Sequence, residues 1–80
     1  MPILTLDARK YKEDDKNRII AKAFDSLNLG ERMVLINDYD PSPILNKMEK
    51  EREGKLEWES ILDGPEQWEA TLSKRYLNFI

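Results

Sequence analysis

The apolar positions of this chain fall in short groups whose period switches between that of a strand and that of a helix. Ile3 to Leu6 is a short, mostly apolar run closed by Asp7, and it predicts a first strand. From Asp15 onward Ile19, Ile20, Ala23, Phe24 and Leu27 recur at i, i+1, i+4, i+5 and i+8, a helical stripe that leaves Lys16, Arg18 and Lys22 outside it. Asp14 or Asp15 is placed to cap the start of this helix, and Gly30 to supply the left-handed residue past its end. Met33 to Ile36 is continuously apolar and stops at Asn37 and Asp38, the pattern of a central strand covered by neighbours. Ser42 before Pro43 suits an N-cap followed by the first helical residue, opening a second helix that turns Ile44, Leu45 and Met48 inward and ends at Gly54. Leu56, Trp58, Ser60 and Leu62 then alternate with charged residues, as do Trp68, Ala70 and Leu72 with polar ones, which predicts two half-buried strands joined around Asp63, Gly64 and Pro65.

The order β-α-β-α-β-β predicts an α/β (α+β) two-layer sandwich: a four-stranded mixed sheet with both helices packed on one face. Right-handed crossovers make the first two strands parallel, so Asp7 and Asn37, which end them, emerge at the same edge of the sheet. The core is expected to contain Phe24, Leu35, Leu45, Met48, Trp58 and Trp68, each on the apolar side of its element's period.

Length and composition narrow the function classes. Eighty residues make one domain, 1–80, with 75–80 as a C-terminal extension. A core this small leaves no room for a deep substrate cavity. Charged residues make up 36% of the chain and are interspersed in sign, with 13 Lys and Arg against 16 Asp and Glu. No basic stripe is present to exchange counterions with a phosphate backbone, so nucleic acid is not an expected partner. Apolar runs of four residues are far below the roughly 20 needed to span a bilayer, and residues 1–20 carry no signal-peptide core, which leads to an expected cytoplasmic location without membrane contact. With no cysteine and no histidine, the chain has no thiolate nucleophile, no disulfide and neither of the commonest soft metal ligands. No cofactor and no catalytic residue are expected.

Open α/β sheets favour ligands at the carboxyl edge of their parallel strands. The loops there read Asp7-Ala8-Arg9 and Asn37-Asp38-Tyr39-Asp40-Pro41-Ser42-Pro43. The candidate binding residues are therefore Asp7, Arg9, Asn37, Asp38 and Asp40. Arg9 or the second helix's N-terminus would take an anionic group, and Asp38 or Asp40 a hard cation or a partner's basic side chain. Each of these residue types also makes turns and caps, and an Arg beside carboxylates also forms ordinary surface ion pairs, so turn chemistry explains the same residues. Two other carboxylate pairs, Asp14 with Asp15 and Glu57 with Glu59, lack the burial that tunes a general acid or base; charge on an outer strand blocks edge pairing instead. Trp58 and Trp68 are read as core aromatics, and Gly64-Pro65 as a turn signal.

Leu6-Asp7-Ala8-Arg9, the segment from Gly30-Glu31 through Pro43, and Gly64-Pro65-Glu66 with Trp68 together resemble a family of prokaryotic domains of unknown function related to the TusA and SirA sulfur carriers. The likeness runs to about Lys74, and its most specific piece is Asn37 to Leu45. The resemblance implies the same TusA/SirA-like sandwich, and a domain found alone or beside haemerythrin-like and other redox modules, which makes such modules candidate partners. TusA-like carriers place a cysteine and a proline at the opening of the first helix, where this chain has Lys10-Tyr11-Lys12-Glu13, so persulfide transfer is excluded. The family often carries a histidine between the two aspartates of its second motif, where Tyr39 stands here.

The expected function is a non-enzymatic binding or accessory role engaging a protein partner or small anion. The alternatives are a degenerate enzyme or divalent-metal site on Asp38 and Asp40, and a structural homo-oligomer subunit. The last rests on Tyr76-Leu77-Asn78-Phe79-Ile80, an apolar tail expected to dock on the open sheet face or to form a homodimer through it.

Overall fold

Two parallel crossovers organise the chain in the computed structural model, which describes residues 4–75. Strand β1 (Leu4–Asp7) leads through a short 3-10 turn, Ala8–Lys10, into helix α1 (Glu13–Asp25) and returns as β2 (Arg32–Asn37). Helix α2 (Ser42–Glu51) then leads to the hairpin of β3 (Leu56–Asp63) and β4 (Trp68–Lys74). The sheet order is β1-β2-β4-β3, with β1 parallel to β2 and β4 antiparallel to both its neighbours. Strands β1, β2 and β3 therefore all run the same way, and both crossovers step in the same direction across the sheet. Equal handedness puts both helices on one face, as predicted.

Side chains from that face form a single core. Ala8, Ile20, Phe24, Leu27, Met33, Leu35, Leu45, Met48, Leu56, Ala70 and Leu72 are all buried and in contact. Pairing fixes the strand contribution: Met33 faces Leu72 and Leu35 faces Ala70 across β2 and β4, so alternate residues of each strand point at the helices. The other sheet face carries Val34, Ile36, Thr71 and Glu69 among others, with no element of the described residues packed on it.

Several local expectations are corrected. Helix α1 starts two or three residues earlier than a cap at Asp14 or Asp15 requires; its N-cap is Lys12, which makes no side-chain cap bond, and both aspartates lie inside the first turn. There they face the positive end of the helix dipole instead of capping it. Helix α2 begins at Ser42 itself, and the capping oxygen comes from Asp40, whose Oδ1 accepts from Ser42 N at 2.9 Å and Ser42 Oγ at 2.7 Å. Gly30 is left-handed (φ +89°) but stands five residues beyond α1, where its N–H donates to the Lys74 carbonyl and ties the α1–β2 loop to the end of β4. Trp58 and Trp68 are only half-buried, and Ser60 and Leu62 are exposed. For β3 the reason is position: it is an edge strand whose pairing with β4 slips between Ser60 and Leu62, turning its second half out of the core, while Trp68 opens β4 at the end of the hairpin and lies against Gly64 of the turn. Lys16, placed outside the α1 stripe by the sequence pattern, is 2% exposed. The apolar tail 76–80 lies outside the described residues.

Candidate functional site

The carboxyl edge of β1 and β2 carries all five candidate residues, but the sheet divides them. Asp7 pairs with Ile36, one residue before Asn37, so strand alternation sends Asp7 to the open face and Asn37 to the helix face. The candidate residues thus form two clusters back to back, with Asp40 apart from both as a helix cap.

On the helix face the centre is a lysine. Lys16 and Asn37 are the only buried polar side chains among the described residues, and they are bonded to each other. The Lys16 Nζ donates to Asn37 Oδ1 at 2.9 Å and to Asp38 Oδ1 at 2.9 Å, stands 4.4 Å from the centre of the Tyr39 ring, and has Glu13 Oε1 at 4.0 Å. Asn37 Nδ2 in turn donates to the Tyr39 carbonyl at 3.0 Å, and the Tyr39 hydroxyl donates to Glu13. An ammonium taken out of water must replace its hydration, and here two oxygens and an aromatic face do so. The local geometry follows from the chain: Asn37 is the last residue of β2, pointing inward, and Asp38 and Tyr39 turn over the first turns of α1.

The same contacts set the acid–base character of the cluster. The hydrogen bond from Lys16 holds the Asp38 carboxyl below the ordinary carboxylate range. Desolvation, reinforced by the hydrogen bond to Glu13, pushes the Tyr39 phenol up to about 12. Asp40 is lowered by its bonds from Ser42, side chain first.

The open-face cluster is built on Arg9. Its Nε and Nη2 donate to Asp7 Oδ1 and Oδ2 at 2.9 and 2.8 Å, a bidentate pair, while Nη1 donates to Gln67 Oε1 at 2.9 Å. Gln67 Nε2 passes the chain on to Glu69 Oε2 at 2.6 Å. The hydrogen bond from Arg9 brings the Asp7 carboxyl down to about 2. Asp7 also accepts from the Arg9 backbone N–H at 3.1 Å, capping the 3-10 turn. These groups remain in reach of solvent: the Arg9 and Asp7 side chains are 43% and 30% exposed, and Gln67 and Glu69 are half-buried.

The five candidate residues therefore do not form one site. Arg9 pairs with Asp7 and not with Asp38, which is claimed by Lys16; the two clusters sense each other only through the longer-range field between Arg9 and Asp38. Asn37 is fully buried and unavailable to any ligand, so it supports the loop and does not line a site. Asp38 and Asp40 direct their carboxylates to different partners, and among the described residues no group of three or more metal-ligating side chains converges. No helix of the described residues is long and apolar enough to cross a membrane.

Lys16, Glu13, Gln67 and Glu69 are the members of these clusters that the sequence pattern missed. A signal for Lys16 existed, since it precedes Ile20 and Phe24 at successive spacings of four and so lies on the buried side of α1. Gln67 and Glu69 had none, because their proximity to Arg9 depends on β4 lying next to β2.

Neither a curated protein nor a solved structure matches the chain. Residues 5–74 match the family described as uncharacterized conserved protein (DUF2249), and the chain belongs to that family.

Proposed function

We propose that this chain is a non-catalytic accessory domain that docks a protein partner at the edge where β1 and β2 end, presenting Asp38 and Asp40, with the Asp7–Arg9 pair on the other face of the same edge, to a basic surface. The observation that carries the proposal is the loop from Asn37 to Asp40: its exposed Asp38 carboxylate is held by the buried Lys16 and its Asp40 carboxylate by Ser42, whereas a mere turn needs no buried lysine as an anchor. Preorganised contacts lose less entropy on binding, which favours an interaction edge built this way. The charge of the loop supports the sign of the partner, because the charged side chains it exposes, Asp38 and Asp40, are both acidic, while the Lys16 ammonium beneath them is buried.

The small-anion alternative has less support, since each nitrogen of the Arg9 guanidinium already donates to Asp7 or Gln67. Relation to the TusA and SirA carriers would make this a scaffold that kept the sandwich without the carrier chemistry, and redox or haemerythrin-like modules are the partners which that resemblance proposes. Photo-crosslinking in cells tests the proposal, with the reactive side chain in place of Pro43 at the edge or of Lys22 on the outer side of α1. Adducts confined to position 43 and lost in Asp38→Ala support it; equal adducts at both positions, or none at position 43, reject it.

A further inference from the structure

We propose that Lys16 is the positioning residue of this edge: its ammonium, gripped by Asn37, Asp38 and the Tyr39 ring, fixes the loop in the shape in which the Asp38 carboxylate faces outward. The partner-binding part of this inference rests on the function proposed above. The positioning part does not.

Three features of the structure carry it. Lys16 and Asn37 are the only polar side chains buried among the described residues, in a core otherwise made of aliphatic residues and Phe24. An apolar residue at position 16 would continue the stripe of Ile20 and Phe24 at no desolvation cost, so the core itself has no need of an ammonium there. Lys16 also reaches across more than 20 residues of sequence to Asn37 and Asp38, and these bonds join the first turns of α1 to the loop after β2. Finally, the grip is one-sided: the Lys16 side chain is 3% exposed while Asp38 is 50% exposed, so Asp38 has one oxygen bound and the rest of its carboxylate available to solvent. A residue that orients an exposed acid from beneath is what this asymmetry describes.

The tests are made on the full chain with Lys16→Met, which keeps the length of the side chain and removes its charge. Nitrogen relaxation should show the amides of residues 38–40 moving from rigid order parameters near ~0.85 to below ~0.6, while α1 and the sheet stay rigid. Octalysine, used as a probe of basic surfaces, should bind the parent at the edge and bind Lys16→Met about tenfold more weakly, an amount that loss of one unexposed charge would not produce by field alone, since removing a positive charge strengthens attraction for octalysine. Lys16→Arg, which keeps the charge, should restore part of the loop order. Should Lys16→Met fail to fold, Asp38→Ala takes its place in the relaxation measurement, because it releases the ammonium from the other side without touching α1. Unchanged order at residues 38–40 in the folded variant overturns the proposal, as does tighter octalysine binding by Lys16→Met. If the parent itself does not bind octalysine, the basic-partner reading fails, and the relaxation result still decides the role of Lys16.

Discussion

Two charged clusters stand at one edge of this sheet, on opposite faces and about equally rich in hydrogen bonds, yet they are physically different objects. On the open face, Arg9, Asp7, Gln67 and Glu69 are exposed or half-buried, and the ion pair of Arg9 with Asp7 competes with water. On the helix face, Lys16 and Asn37 are sealed off, and every bond they make replaces one that water can no longer provide. Apart from the Asp7 cap on the 3-10 turn, the first cluster consists of bonds between side chains that water can replace. The second is a condition of the backbone's path, because an unmatched ammonium or amide at those positions has no solvent to turn to. Counting hydrogen bonds would rank the two alike; burial separates them.

The sharpest way to break this comparison is Asn37→Ala. It strips the buried Lys16 ammonium of one oxygen and the Tyr39 carbonyl of its donor, and it should cost about 2 to 3 kcal/mol in urea denaturation. A cost near zero would show that water reaches Lys16 and that the two clusters are alike.

Gly64→Ala probes the support of the open-face cluster instead. Gly64 has φ +63°, and a Cβ there would lie 2.7 Å from Cε2 of Trp68, the residue that follows Gln67 in the turn into β4. Left-handed strain and the clash together should cost about 1 to 3 kcal/mol, and should shift the amide signals of Gln67 and Glu69 before those of Asp38. If Asp38 and Tyr39 move first, the clusters are coupled through the sheet and the division drawn here is wrong.

Titration sharpens the contrast further. Asp7, Asp38 and Asp40 have carboxyls lowered in the folded state, so the stability they contribute is present above their unfolded value near ~4 and is lost as pH falls, for Asp7 through about 2. Added salt should raise the Asp7 value toward the ordinary range more than the Asp38 value, since the Arg9 pair is exposed and the Lys16 end of the other pair is not. Carbon-detected carboxyl titrations at low and high salt measure both. Tyr39 runs in the opposite sense: its proton is held more tightly in the folded chain, so its contribution is complete below ~10 and disappears as pH rises through about 12. Tyr39→Phe should remove that alkaline limb from the stability profile.

The smallest effect is expected from Arg9→Ala. Removing a guanidinium that is 43% exposed should move the melting temperature by no more than about 2 °C, because both partners can return to water. A larger shift would mean that the Asp7–Arg9–Gln67 chain braces β1 against β4.

Much of this architecture was legible in the chain. Periodicity placed both helices and all four strands to within a few residues, since the alternation of Leu56 to Trp58 or the spacing of Ile20 and Phe24 is a local consequence of how each element meets the core. Pro43 and Gly64 marked a helix start and a turn because their backbone preferences hold wherever they stand. Parallel β1 and β2 with both helices on one face followed from the handedness of crossovers, and so the shared edge of Asp7 and Asn37 was foreseeable. What only the tertiary structure decided is where each polar group finds its partner. Sequence pattern sorts residues into inward and outward by type, and a lysine is outward by type; Lys16 goes inward because Asn37 and Asp38, more than 20 residues away, supply the oxygens that make its burial possible. The same holds for Arg9, which met Gln67 through the placement of β4 beside β2, and for Trp58, left half-exposed because β3 ended at the sheet's edge. Element type depends on nearest neighbours along the chain, whereas burial of a charge depends on groups brought together only by the fold.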